Sequence, residues 1–155
     1  MTAAPLEDLC LHRVLVAIDG SEQAELAVRA AVTAAHRDHA AVTLITVAPD
    51  VAHDMSRLAA VAGVAPPSQE EIDQAAGKVL REAVERMPGD LTVTTVLRRG
   101  KAGPEILAEA DAHPYDGIIL GARGVGRVGA LMGSVSAHVL RHAKVPVVVV
   151  HGPRS

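Results

Sequence analysis

The sequence predicts an α/β domain built on a doubly wound parallel sheet with helices on both faces. Three observations carry this expectation. Short runs of branched aliphatics, apolar at nearly every position, recur along the chain, and such runs mark strands buried between two helix layers. Segments of helical period separate them, and strict alternation of strand and helix gives parallel strands joined by crossovers. Apolar residues make up 49% of the chain, almost all Ala, Val, Leu and Ile, with no Phe or Trp and one Tyr. Branched aliphatics suit central strands, and alanines suit helices packed closely on a sheet.

Val14–Ile18 reads as the first strand, closed by Asp19-Gly20-Ser21. Glu22 to about Arg37 follows as a helix with Ser21 as N-cap and Leu26, Ala27, Ala30, Ala31 and Ala34 on one face. Val42–Val47 is the second strand. Residues 49–67 read as a long irregular stretch with one helical turn near Met55–Leu58, and loops of this length are functional or mobile. Ser68-Gln-Glu-Glu71 is a capping box that opens a helix to about Met87, where Pro88-Gly89 stops it. Leu91–Leu97 is the third strand. Pro104 belongs in the first turn of a helix ending near Ala112. Asp116–Leu120 is the fourth strand, Ser134 starts a helix to about Ala143, and Val147–Val150 is the fifth strand. With no internal repeat, residues 1–12 form an N-terminal tail and residues 13–151 the one domain.

Charge and composition narrow the function classes. The formal charge is −3 without a basic cluster, which argues against nucleic-acid and acidic-membrane partners. The shortage of aromatics removes stacking platforms for single strands. Cys10 is the only cysteine, so no internal disulfide forms and a reducing compartment is expected. Met1–Leu9 carries acidic residues and no long apolar run, unlike a signal peptide. No apolar stretch approaches the ~18 residues that span a bilayer. The expected location is the cytoplasm.

The strongest chemical signal is the stretch from Gly121 to Ser136, which holds five glycines in the 13 residues from Gly121 to Gly133. It follows a strand and opens a helix, at the strand ends where open α/β sheets bind ligands. Glycines let a backbone approach a ligand with its N–H groups. A helix beginning at Gly133-Ser134 offers unpaired N–H donors and a positive dipole end to phosphate. Ser134 and Ser136 add hydroxyls, and Arg123 and Arg127 add charge-assisted bonds. The alternative is a flexible connection with an ordinary serine cap, although inert loops seldom need so many glycines. Neither a Gly-Lys-Ser/Thr phosphate loop nor a dinucleotide fingerprint after the first strand occurs.

Taken together, Val14-Leu-Val-Ala-Ile-Asp-Gly-Ser21, Gly121-Ala-Arg-Gly124, Gly133-Ser-Val-Ser136 and Val145-Pro-Val-Val-Val-Val150 resemble the universal stress protein (UspA-like) family over Arg13 to Val150. The resemblance implies a five-stranded, Rossmann-like sheet ordered 3-2-1-4-5, with ATP, alone or with Mg, between the first and fourth strands. It places the nucleoside end on Ala17, Asp19 and Val47, the ribose and phosphates on Gly121 and Gly124, and the phosphates on Gly133, Ser134, Val135 and Ser136. ATP-binding members keep Gly-x2-Gly-x9-Gly-Ser/Thr, whereas this chain has eight residues between Gly124 and Gly133. Gly126 or Gly129 absorbs the missing residue, or the first glycine pair shifts off the phosphates. Asp19 likewise has two readings: a ligand to ribose or adenine, or a turn residue capping the first helix.

Other constellations carry less. His138 and His142, and His36 and His39, have helical spacing, but metal sites need several convergent ligands, so solvated faces are expected and no metal site is assigned. Arg98-Arg99 reads as a solvated corner. No Gly-x-Ser-x-Gly nucleophile elbow occurs, and no general base stands out beside the glycine loop. The leading reading is an ATP-binding regulatory or stress-response module without efficient catalysis, hence no catalytic residues. The alternative on the same fold is a slow ATPase or adenylyl-type enzyme, for which only Asp19 and Asp50 lie near strand ends. A phospho-accepting receiver domain lacks its paired acids and its lysine after the fifth strand. An apolar last strand at a sheet edge is expected to join a homodimer.

Overall fold

A computed structural model describes residues 10–51, 61, 63, 65–122 and 133–152. The expected turn near Met55–Leu58, and Arg123, Gly124, Gly126, Arg127 and Gly129, lie outside the described residues. The order is β1 (Arg13–Ala17), α1 (Glu22–Asp38), β2 (Ala41–Ala48), α2 (Gln69–Glu85), β3 (Val93–Arg99), α3 (Ala102–Ala112), β4 (Gly117–Gly121), α4 (Ser134–His142) and β5 (Val147–Val150). All pairings are parallel, and the strands lie in the order β3-β2-β1-β4-β5.

Strand periodicity divides the core into two layers. Val14, Val16, Val42 and Leu44 face α1 and α2, where they meet Ala27, Val28, Ala31, Leu80 and Ala83. Leu15, Ile45, Ile118 and Leu120 face the other way, onto Ile106 and Ala110 of α3 and Val139 of α4. Val14, Leu15 and Val16 are fully buried, as a central strand between two helix layers requires. Leu11 is buried too, and its N–H donates to Asp38 at 3.2 Å.

Local signals explain where the helices begin. Ser21 accepts the Ala24 N–H at 3.2 Å and Ser68 accepts the Glu71 N–H at 3.1 Å, so both serine caps form. The α1 stripe differs from expectation: Ala24, Ala27, Val28, Ala31 and Ala35 are buried, while Leu26, Ala30 and Ala34 flank them. The third strand runs two residues later than expected, at Val93–Arg99, because its charged end continues the ladder beside β2. At the expected solvated corner Arg99 stays exposed, while Arg98 is half-buried. Arg98 binds Glu105 and Glu109, and Arg99 pairs with Asp73.

Candidate functional site

The chain runs β1-β2-β3 in one direction and returns to place β4 on the far side of β1. That reversal separates the loops leaving β1 and β4, and a crevice opens at the carboxyl ends of the strands. Ala17, Ile18, Asp19, Ser21, Ala24, Ile45, Val47, Ala102, Ile106, Leu120, Gly121, Gly133, Val135 and Ser136 line an open pocket. It encloses about 600 Å³ of empty space, solvent at the mouth included. Small-ligand pockets share its mostly apolar lining with a few polar groups.

Seven of the residues singled out in the sequence converge here: Ala17, Asp19, Val47, Gly121, Gly133, Val135 and Ser136. Ser134 opens α4 and is exposed rather than part of the lining. Arg123 and Gly124 lie outside the described residues. The sequence reading missed the apolar wall of Ile45, Ala102, Ile106 and Leu120. Its signal was the inward period of β2, α3 and β4, which looks the same for a pocket wall and for core.

Each part of the site has a local cause. Gly20 turns the chain at φ 82, and Asp19 Oδ1 accepts the Ser21 N–H at 3.0 Å. The turn role of Asp19 is therefore present, and the same residue lines the pocket. Ile18 N–H donates to the Ile45 carbonyl at 2.9 Å, and the Thr46 hydroxyl donates to the Ile18 carbonyl at 2.9 Å. Residues two apart on a strand turn their amide and carbonyl to the same side. Val47 therefore presents its N–H and C=O on the same side as Ile45, past the end of β1.

Across the crevice, Gly133 is the N-cap of α4 and its carbonyl accepts the Ala137 N–H at 3.1 Å. The N–H groups of Ser134, Val135 and Ser136 have no acceptor within the helix and form a positive end that favours an anion. The buried Ser136 hydroxyl donates to the Gly121 carbonyl at 3.3 Å, which ties α4 to the end of β4. Gly121 has a structural duty of its own, since a Cβ there would collide with the Gln23 carbonyl of α1.

The histidine pairs have local duties. The His138 ring packs on Gly103, where an added Cβ would come within 2.7 Å of it, so it is no freely solvated face. His142 Nδ1 lies 2.9 Å from the His138 carbonyl, and His36 pairs with Asp90 at 3.2 Å. Among the described residues no group of three potential metal ligands converges, and no helix is long and apolar enough to cross a membrane.

Fold and pocket together define a doubly wound α/β domain with a small-ligand crevice at its switch point. The universal stress protein family matches residues 11–151, and the chain belongs to that family. A universal stress protein from Mycolicibacterium smegmatis is 32% identical over 145 residues, 91% of this chain but 48% of that protein. The chain thus spans about half the length of that curated relative. The universal stress protein UspA from Lactobacillus plantarum has a similar structure, with TM-score 0.69, 26% identity, and coverage of 90% of this chain and 97% of that one. A universal stress protein solved in complex with cAMP shares the fold at TM-score 0.60 and 24% identity, covering 92% of this chain and 98% of that one.

Proposed function

We propose that this chain binds ATP in the switch-point crevice and acts as a regulatory, stress-response module without efficient catalysis. One observation carries the reading: Val47 and the opening turn of α4 border the same pocket. The Val47 N–H and C=O form a donor–acceptor pair that matches adenine N1 and N6, while guanine carries the reverse pattern. Ala17, Ile45, Ala102 and Ile106 cover the ring faces, and Asp19 accepts from the ribose. The phosphates run past Gly121 toward the N–H groups of Ser134, Val135 and Ser136, with Gly124 and Arg123 completing the phosphate end. Mg would accompany the phosphates. A family member solved with cAMP is consistent with an adenine nucleotide as ligand class.

Binding is favoured over turnover by the make-up of the pocket. Among its described lining residues Asp19 is the one acidic side chain, and its carboxylate already holds the Ser21 N–H. Assembly is the second part of the reading. β5 lies at the sheet edge, is Val at all four positions, and leaves Val148 38% exposed, which suits antiparallel pairing with a second copy. Mass spectrometry of small molecules released from freshly purified protein, with titration of a fluorescent ATP analogue, tests the ligand. Near-stoichiometric ATP or ADP and saturable binding are expected. No saturable binding at physiological nucleotide concentration would overturn the reading.

A further inference from the structure

The helix that walls the nucleoside end of the crevice is anchored by a single arginine from a strand that does not line the pocket. Arg98 stands on β3 beside Val47 in the β2–β3 register. Its Nε donates to Glu105 at 2.7 Å and its guanidinium reaches Glu109 at 3.2 Å. Both carboxylates belong to α3, the helix that supplies Ala102 and Ile106 to the pocket. A planar fork that holds two carboxylates one turn apart fixes both the height and the rotation of the helix.

Two further contacts show how closely this turn is set. Gly100 has φ 132, and a Cβ there would lie 3.1 Å from the Glu105 side chain, so that stem passes over bare backbone. Gly103 leaves still less room beside the His138 ring of α4, where a Cβ would lie 2.7 Å away. Lys101, the N-cap of α3, makes no side-chain capping bond, so the start of the helix relies on these lateral contacts. Glu109 is no ordinary surface partner, because its side chain is 5% exposed. It also takes the Tyr115 hydroxyl at 3.0 Å and His113 Nδ1 at 3.0 Å.

We infer that Arg98 is a positioning residue for base selection: through Glu105 and Glu109 it holds Ala102 and Ile106 against the base and keeps the base edge on Val47. The inference rests on the nucleotide reading of the crevice. Discrimination between adenine and guanine at one backbone N–H and C=O requires the ring to be held in register, since a ring free to slide escapes the mismatched pair. A wall that relaxes therefore lowers selectivity before it abolishes binding.

The experiment compares the dissociation constants of ATP and GTP, together with the thermal midpoint, for the full chain and for Arg98→Met, Arg98→Lys and Glu105→Gln. In Arg98→Met the ATP preference is expected to fall at least about tenfold, with a lower midpoint because the buried Glu109 keeps Tyr115 and His113 but loses its arginine. Arg98→Lys returns a charge beside Glu109 and recovers much of the midpoint, but an ammonium cannot hold two carboxylates as a fork, so the preference stays low. Glu105→Gln removes the more exposed partner and lowers the preference with little change in midpoint. Native selectivity in both Arg98→Lys and Glu105→Gln would overturn the inference and leave nucleotide binding standing. Absence of ATP binding by the unaltered protein would overturn the nucleotide reading and this inference with it.

Discussion

Gly133→Ser separates a glycine kept for a ligand from one kept for the fold. Gly133 sits at φ −72 and ψ 167, extended backbone that any residue adopts, so its side chain is not excluded by strain. Serine is also at least as good an N-cap as glycine. The variant is therefore expected to melt within a few degrees of the native protein, or slightly above it. Its hydroxyl would accept the Val135 or Ser136 N–H, the donors assigned to phosphate, and its Cβ would stand in the path of the phosphate chain. Losing one charge-assisted bond costs about 2 kcal/mol, or roughly thirtyfold in affinity. Gly133→Val carries the same block without the hydroxyl; it should lose binding and about 1 kcal/mol of helix capping. Gly121→Ala is the control, because its Cβ would collide with the Gln23 backbone. Overpacking of that kind costs about 1–3 kcal/mol, which lowers the melting point of a chain this size by roughly 2–12 °C. Calorimetric titration with ATP and thermal melts followed by circular dichroism read both quantities. If Gly133→Ser binds ATP as well as the native protein, the opening turn of α4 does not hold phosphate. If Gly133→Val is unfolded, that glycine is structural after all.

Three other outcomes follow from named contacts. Phosphate release from ATP should stay well below about one turnover per second, and several turnovers per second abolished by Asp19→Asn would identify an enzyme. The Arg37 guanidinium, with help from the Leu11 N–H, holds the Asp38 carboxyl at about 2, below its ordinary 3.8. A depressed folded value contributes stability above the unfolded value and loses it as pH falls, so the melting point should drop between about pH 4 and pH 2 and drop less steeply in Asp38→Asn. Val149→Pro removes a donor from the open side of β5, since Pro146 and Val150 turn their carbonyls to β4 and Val149 faces the other way, and light scattering after size exclusion should find monomer or destabilised protein. An unperturbed dimer would place the interface elsewhere, and a monomeric native protein would remove the dimer from the reading.

The elements legible in the sequence are those whose causes are local. Ser21 and Ser68 cap the helices they precede because a hydroxyl three residues before an N–H is enough to satisfy it. The apolar runs of β1, β2 and β4 read as central strands because both faces are buried. Strand order is different: alternation of strand and helix dictates parallel pairing but not which strand lies beside which, so 3-2-1-4-5 came from family resemblance and was then observed. The β3 boundary failed for a related reason. Arg98 and Arg99 read as the end of an apolar run, yet their partners Glu105, Glu109 and Asp73 come from helices whose placement only the fold supplies.

The glycine-rich stretch shows the limit most sharply. Sequence reports that a Cβ is unwelcome at Gly121 and at Gly133, but not what would meet it. At Gly121 the answer is the Gln23 carbonyl, a neighbour inside the fold, although the residue also borders the crevice. At Gly133 the backbone is ordinary and the helix would gain from a serine cap, so neither backbone conformation nor capping calls for glycine. A glycine that local conformation does not require, at the mouth of a pocket and the start of a helix, is the stronger pointer to a ligand. Asp19 follows the same logic from the other side: its turn bond to Ser21 accounts for an aspartate there without any ligand, so the weight of the nucleotide reading falls on Val47 and Gly133.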